Sequence, residues 1–338
     1  MIARVALRIV ALAAACIPFV GCHGAAPPPR VALVAGERGF GDRSFNDAAR
    51  AGLEACKRDT GAEVTAVVPS SGAGFEQQLA LLATQNYDTV IALGYPPARD
   101  VAQVARRFQA IHFAIIDAVV DEPNVDSITF DEAQGAFLAG ALAAMVSRTH
   151  TVAFLGGADS ALLRRSEAGF SAGARDIDPA VRVEVRYLGS FDDRPAARRL
   201  AGTLLDRRAD VIFAVAGRAG LGAIDAVKQR RDAFAIGADS NQDGLAPGKV
   251  LTSVVKRVDV AAQRVCTEAV AQKPMSGHLV LGLAQGGIAL TDFAFSKNVL
   301  GAERIARIER VRRAIVAGSV VAPASREALR TFRPVAIP

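Results

Sequence analysis

The sequence predicts an α/β protein with two parallel sheets, and three observations support that fold class. Short β-branched runs alternate with longer amphipathic segments along almost the whole chain, as in strand–helix–strand units of parallel sheets. The alternation is interrupted twice and then resumes, which indicates two lobes. The chain has 338 residues, half of them apolar, which is enough for two cores of ordinary size.

The individual elements follow from the spacing of apolar residues. Runs of strand-forming residues predict strands at 31–35, 63–68, 89–93, 112–116, 151–155, 182–187, 211–215, 233–237, 250–255 and 287–290. Apolar residues three to four positions apart predict helices, among them 46–57, 75–83, 98–108, 133–145, 196–205 and 302–317. We therefore expect each helix to cover one face of a sheet.

Two turn-rich stretches are the expected crossovers between the lobes. Residues 117–126 contain acids and a proline, and residues 241–248 contain Asp243-Gly244 and Pro247-Gly248. The expected organisation is one lobe of 31–127 with 251–285, a second lobe of 128–250 with 286–325, and a C-terminal tail at 326–338.

The N-terminus has the features of an export signal. Arg4 and Arg8 precede an apolar run that ends at Gly21-Cys22, and the run is shorter than the ~20 residues that cross a bilayer. Gly21-Cys22 resembles the site at which bacterial lipoproteins are cleaved and acylated, with Phe19 in place of the usual Leu. We expect a signal peptide at 1–21, a lipid on Cys22 that anchors the chain to the membrane, and an exposed tether at 22–30. The alternative is an ordinary signal peptide cut near Ala25-Ala26.

Charge and cysteine content narrow the function classes. Removal of the signal peptide lowers the formal charge of +6 by two, and the remaining arginines are spread over helix faces with acids between them. That pattern favours solvated surfaces over nucleic-acid binding. Cys56 and Cys266 lie in helix-patterned segments and are interpreted as buried free thiols, with a bridge between them as the alternative in an oxidising compartment.

Ligands of parallel sheets bind beyond the carboxyl ends of the strands, where loops and helix N-termini present N–H groups. The loops that qualify begin after Ala35, Leu93, Tyr187, Val215 and Gly237. The first loop, 36–46, combines glycines, capping side chains and Phe45, but lacks the glycine spacing of a dinucleotide-binding fingerprint. Taken alone, the loop is explained equally well by Asp42 or Ser44 capping a helix and Phe45 entering the core.

An ordered series of motifs resembles one known family. In chain order the motifs are Arg43-Ser44-Phe45-Asn46, Asp131-Glu132-Ala133-Gln134-Gly135 continuing to Gly140, Gly189-Ser190-Phe191-Asp192-Asp193, Asp210-Val211-Ile212-Phe213 with Ala216-Gly217, Gly237-Ala238-Asp239-Ser240-Asn241-Gln242, and Pro247-Gly248-Lys249-Val250 continuing to Lys256. Together they resemble the basic membrane protein family, the nucleoside-binding lipoproteins of bacterial ABC transporters. The resemblance covers nearly the whole chain behind the tether.

The resemblance implies a type I periplasmic-binding-protein fold, with two Rossmann-like lobes joined by a hinge and a nucleoside-like ligand between them. It implies that Phe45 and Phe191 clamp a flat base from opposite lobes. By the same resemblance, Asp131 and Asp239 accept hydrogen bonds from ribose hydroxyls. The expected partner is an ABC permease in the membrane, the simplest oligomeric state is a monomer, and no cofactor is expected.

Four further site residues complete the expectation. Lys256 and Asn46 would donate to the sugar or the base, Gly217 would let the backbone approach the ligand, and Tyr95 is a further candidate lining residue. Pattern alone favours other roles, namely helix capping for Asp131 and an ion pair with Asp259 for Lys256.

The chain departs from the family pattern at one position. Family members that bind purine nucleosides carry an aspartate just after the first strand, where this chain has Gly36. That carboxylate would recognise the edge of the base, so purine preference is an open question here, with Glu37 as a possible substitute.

The sequence leaves two other function classes as alternatives. The four histidines are scattered and show no metal-ligand spacing, so an enzyme would have to be a hydrolase that uses carboxylates such as Asp131 and Asp239. A ligand-sensing lipoprotein that signals to a membrane partner is the second alternative. A DNA-binding repressor is disfavoured because a signal peptide occupies the place of its N-terminal helix-turn-helix.

Overall fold

The computed structural model describes residues 28–36, 39–69, 74–273 and 277–335. The predicted signal peptide, Cys22 with its predicted lipid, most of the tether and Glu37 lie outside the described residues.

The regular elements alternate as predicted. The strands are β1 Arg30–Val34, β2 Glu63–Val67, β3 Thr89–Leu93, β4 His112–Ile116, β5 Val125–Phe130, β6 Thr151–Gly156, β7 Arg182–Tyr187, β8 Val211–Val215, β9 Phe234–Asp239, β10 Val250–Lys256, β11 Gly277–Leu281 and β12 Ile288–Leu290. The α-helices are α1 Phe45–Thr60, α2 Gly74–Thr84, α3 Ala98–Arg107, α4 Glu132–Val146, α5 Ala161–Ile177, α6 Arg194–Asp206, α7 Gly217–Lys228, α8 Val258–Val270, α9 Lys297–Val316 and α10 Arg326–Thr331. Strands β5 and β11 were not predicted.

The strands of the described residues form two sheets of six. The first sheet has the order β11-β5-β4-β3-β1-β2, and the second has the order β12-β10-β9-β8-β6-β7. Neighbouring strands are parallel throughout, except that β12 is antiparallel to β10. The predicted bilobed α/β fold with parallel sheets is confirmed.

The two expected crossover segments need correction. Strand β5 pairs with β4, so the chain leaves the first sheet after Phe130 rather than within 117–126. Residues 241–248 join β9 to β10, and both strands belong to the second sheet. The return to the first lobe therefore follows Lys256, and a third crossing joins β11 to β12. A turn-rich segment marks where a strand ends but carries no information on which sheet the next strand joins.

Close helix packing within each lobe depends on small residues. A Cβ on Gly140 of α4 would lie 1.9 Å from the Phe170 carbonyl oxygen of α5. In the first lobe, a Cβ on Gly52 of α1 would lie 1.9 Å from the Asp259 carbonyl oxygen of α8. The same pair of helices is joined by a disulfide between Cys56 and Cys266. The expectation of two free thiols is therefore wrong, because the fold brings two distant helix faces together.

The expected C-terminal tail also contains structure. Residues 326–331 form α10, where Arg326 pairs with Glu167 of α5 at 2.7 Å. The Phe332 ring meets Phe137 edge to face at 5.8 Å between centroids. This segment therefore packs on the second lobe.

Candidate ligand-binding site

A cavity of about 600 Å³ lies between the two lobes, at the carboxyl ends of strands from both sheets. The loops after β1, β3, β7 and β8 and the last two residues of β9 contribute lining residues. These are the chain segments beyond Ala35, Leu93, Tyr187, Val215 and Gly237 that the sequence indicated. Of the predicted site residues, the cavity is lined by Phe45, Asn46, Tyr95, Phe191, Gly217, Asp239 and Lys256. Asp131 is not among the lining residues.

Two aromatic rings line the cavity from opposite lobes. Phe45 is the first residue of α1 and is partly buried, whereas Phe191 lies in the loop before α6 and is 36% exposed. The Phe191 ring lies over Gly157, where a Cβ would stand 2.4 Å from the ring. A Cβ on Gly217 would stand 3.2 Å from the Phe191 carbonyl oxygen, and Gly217 has a positive φ of 53°. Both glycines therefore leave the room that Phe191 occupies, because a side chain at either position would crowd it.

The loop before α1 is organised by one buried carboxylate. Asp42 accepts hydrogen bonds from the backbone N–H groups of Ser44, Asn46 and Asp47 and from the Asn46 side-chain amide, at 2.9–3.1 Å. These bonds satisfy N–H groups that the first turn of a helix leaves free. Asn46 Oδ1 in turn accepts from the Gly36 N–H at 3.1 Å. Asn46 thus holds the loop after β1 against α1 as well as lining the cavity.

A buried group of charges, the lysine cluster, consists of Lys256, Asp117, Glu132 and Asp239. The Lys256 Nζ lies 2.7 Å from Asp117 Oδ2 and 3.1 Å from Glu132 Oε1. Burial lowers the pKa of Lys256, but the attraction of Asp117, Glu132 and Asp239 outweighs it and raises that pKa overall. Lys256 is therefore an ammonium ion at neutral pH.

Burial also acts on the acids of the lysine cluster. It raises the pKa of Glu132 and of Asp239, although the Lys256 ammonium opposes the effect on both. In the described residues, Asp117 Oδ1 and Glu132 Oε2 are buried oxygens that accept no hydrogen bond. The expected alternative role of Lys256 is wrong, since Asp259 pairs instead with Arg257 at 2.9 Å.

The cavity wall contains the neighbour of Asp131 and not Asp131 itself. Asp131 is the N-cap residue of α4, and the adjacent Glu132 lines the cavity. Successive helical residues point about 100° apart, so a one-residue difference decides which carboxylate faces the ligand. Asp117, which also lines the cavity, was missed although it directly follows β4, as Asp239 ends β9. An acid at the carboxyl end of a parallel strand was the signal that could have found it.

Hydrogen bonds cross the cleft from one lobe to the other. Ser44 Oγ donates to Asp239 Oδ2 at 2.8 Å, and Ser240 Oγ donates to the Ser44 carbonyl oxygen at 3.0 Å. Arg218 Nη2 donates to the Phe40 carbonyl oxygen at 3.1 Å. The lobes are therefore in a closed arrangement around the cavity.

The described residues contain neither a cluster suited to a metal ion nor a helix suited to span a membrane. No group of three or more His, Cys, Asp or Glu side chains between residues 28 and 335, outside the gaps stated above, is arranged to hold a metal ion. Over the same part of the chain, no helix is long and apolar enough to cross a membrane.

Comparison with known proteins gives consistent matches. The family described as "ABC transporter substrate-binding protein PnrA-like" matches residues 30–326. Basic membrane protein A of Borreliella burgdorferi is 29% identical over 328 residues, which cover 94% of this chain and 95% of that protein. The "ABC transporter nucleoside-binding protein BmpA" of Lactococcus lactis is 28% identical over 283 residues, with 77% and 81% covered. A crystal structure of an ABC transporter solute-binding protein from Aeropyrum pernix superimposes with a TM-score of 0.82 at 26% identity, covering 90% of this chain and 96% of that one.

Proposed function

The chain belongs to the PnrA-like family of ABC-transporter substrate-binding proteins, and from that premise we propose that it captures a nucleoside-like solute and delivers it to a membrane permease. The observation that carries the proposal is the composition of the interlobe cavity. One cavity contains two aromatic rings from different lobes and the charged side chains of the lysine cluster.

The aromatic rings support a planar ligand. A base that stacks on an aromatic side chain gains roughly 1–3 kcal/mol per base. Phe45 lies beside the lysine cluster, with Lys256 Nζ 5.4 Å from its ring centre. A ligand that stacks on this ring therefore places its polar part within reach of the charges. The cavity of about 600 Å³ also falls within the usual range for small-molecule sites.

The lysine cluster supports a ligand rich in hydroxyl groups. Carboxylates bind hydroxyl donors strongly because the acceptor carries a charge. Asp117 Oδ1 and Glu132 Oε2 accept nothing from the described residues, and a buried acceptor without a partner costs about 1–3 kcal/mol. Small movements on binding would let ribose hydroxyls reach these oxygens, while the Lys256 ammonium donates to a sugar oxygen.

Export and anchoring complete the proposal. The N-terminal pattern of 1–22 supports cleavage before Cys22 and acylation of its thiol. Mass spectrometry of the N-terminal peptide from membrane fractions tests this. A diacylglycerol-sized mass increase on Cys22, absent in Cys22→Ser, is expected, whereas an unmodified N-terminus near residue 26 would contradict the anchor.

Calorimetry with a panel of nucleosides, free bases and free sugars tests the ligand class. Nucleosides are expected to bind more tightly than bases or sugars, and Phe45→Ala and Asp239→Ala should each weaken nucleoside binding at least roughly tenfold, or about 1.4 kcal/mol. Phe295→Ala and Asp232→Ala are matched controls, because both side chains are exposed and outside the cavity lining.

The same experiment separates binding from catalysis. The nucleoside recovered after incubation should be chemically unchanged, as expected for a carrier and not for a carboxylate hydrolase. Nucleoside binding that survives both cavity substitutions would refute the site, and release of free base would favour the hydrolase.

A further inference from the structure

Arg218 occupies a distinctive place in the cavity wall. It is the second residue of α7 and lines the cavity beside Gly217 and Phe191. Its Nη2 donates across the cleft to the Phe40 carbonyl oxygen at 3.1 Å, and its Nη1 lies 3.3 Å from Asp192 Oδ1 in its own lobe. The guanidinium group therefore bridges the two lobes next to one of the two rings.

One donor of this guanidinium group is unused. Arg218 Nε is enclosed and donates to no acceptor among the described residues. A guanidinium group carries N–H donors and no acceptor, so Nε can be satisfied only by an acceptor that comes to it. Because Nε exposes almost no surface, a ligand acceptor reaches it only after a small movement of the Arg218 side chain, and it would then replace an unsatisfied donor with a charge-assisted hydrogen bond.

The charge around Arg218 limits the kind of acceptor. Asp192 already compensates the guanidinium charge, so a phosphate dianion would meet a nearby carboxylate as well as the arginine. A neutral carbonyl oxygen meets no such repulsion. The electrostatics therefore favour an uncharged acceptor over a phosphate.

In the wall that the first lobe contributes, the Asp42 carboxylate and the Asn46 amide oxygen already accept hydrogen bonds from the protein. Gly36 has no side chain, Asn46 Oδ1 accepts from the Gly36 N–H, and the Asp42 carboxylate accepts four N–H bonds. Arg218 Nε is therefore a charged donor in the cavity wall that has no acceptor among the described residues.

We infer that Arg218 determines specificity by donating from Nε to a carbonyl oxygen on the base, so that the ligand class is nucleosides of oxo-bases. The inference rests on the proposed function. The matched ligands are inosine against adenosine and uridine against cytidine, because each pair exchanges a ring carbonyl for an amino group.

Calorimetry on the full mature chain measures the affinity ratio within each pair. The oxo member is expected to bind roughly tenfold more tightly, and Arg218→Met should bring the ratio close to one by weakening the oxo member selectively. Arg218→Lys keeps the charge but lacks Nε and should lower the ratio as well. Arg199→Met, an exposed arginine on α6, should leave the ratio unchanged.

The outcomes separate this inference from the function on which it rests. An equal loss of both members in Arg218→Met would overturn it, because Arg218 would then only hold the lobes together. A ratio that favours the amino member, or uridine monophosphate binding more tightly than uridine in an Arg218-dependent way, would overturn it too. If no nucleoside binds to the folded wild-type chain, the proposed function itself fails.

Discussion

Ser44 Oγ and Asp239 Oδ2 are joined by a 2.8 Å hydrogen bond although 195 residues separate them in the chain. Ser44 precedes α1 in the first lobe, and Asp239 ends β9 in the second. Asp239 has a positive φ of 65°, a conformation that few residues other than glycine adopt. The bond therefore joins a constrained carboxylate to the loop that also carries Phe45, and it contributes to lobe closure.

Loss of this bond should make the closed state less stable. Ser44→Ala removes one bond to a charged acceptor, worth about 1.5–3 kcal/mol, so ligand dissociation should be at least tenfold faster. Stopped-flow dissociation and small-angle scattering of the unliganded chain measure the two effects. Ser319→Ala, at an exposed site, is the control. If Ser44→Ala changes neither the dissociation rate nor the radius of gyration, the bond does not contribute to lobe closure.

Glu132 should make stability depend on pH. Because burial raises its pKa in the folded chain, the folded state holds more protons than the unfolded state above about pH 4.3. The free energy of unfolding should therefore fall as pH rises towards the folded pKa, and Glu132→Gln should remove that contribution. Denaturant titrations at several pH values should show the variant gaining stability over wild type as pH rises. Glu303→Gln at an exposed site is the control, and a difference that does not change with pH would contradict the assignment.

Replacement by alanine should lower the free energy of unfolding at Gly140 and raise it at Gly202. A Cβ on Gly140 would lie 1.9 Å from a backbone oxygen of α5, whereas a Cβ on Gly202 in α6 meets no atom within 4 Å. Gly140→Ala should lower the free energy of unfolding by at least about 1–3 kcal/mol through overpacking. Gly202→Ala should raise it by about 0.5–1 kcal/mol because alanine favours the helix. Equal effects in thermal or denaturant unfolding would show that the α4–α5 contact is looser than described.

The Cys56–Cys266 disulfide closes a sequence separation of 210 residues. The double variant Cys56→Ala, Cys266→Ala should lose about 2–5 kcal/mol of stability, since the unfolded chain is no longer cross-linked. Thiol titration of the denatured, unreduced chain lacking residues 1–22 should find no free thiol. Two titratable thiols per chain would instead support the free-thiol interpretation.

Local patterns predicted much of the fold. The ten predicted strands agree with the observed ones to within two residues at each end, because burial in parallel sheets selects short apolar runs. Strand β5 was not predicted because its start overlaps the segment 117–126, whose acids and proline are typical of a turn. Strand β11 contains Gly277 and His278, has mostly exposed side chains, and lies at the edge of its sheet, where selection for apolar residues is weaker.

The residues of the candidate site also fall into those that the sequence predicted and those that it did not. Motif resemblance predicted Phe45, Phe191, Asp239 and Lys256, which line the cavity and belong to recognisable motifs at a helix start, in a loop or at strand ends. It did not find Arg218, because a single arginine at a helix start has no pattern until the opposing Phe40 carbonyl is placed against it.

The amino-acid sequence alone carries the alternation of strands and helices, the export signal pattern and the positions where strands end in polar residues, since each depends on neighbours within a few positions. Only the tertiary structure decides that Lys256 pairs with Asp117 across 139 residues, that Glu132 rather than Asp131 lines the cavity, and that Cys56 meets Cys266. These relationships depend on how two sheets and their helices are brought together, and short-range periodicity does not encode that arrangement.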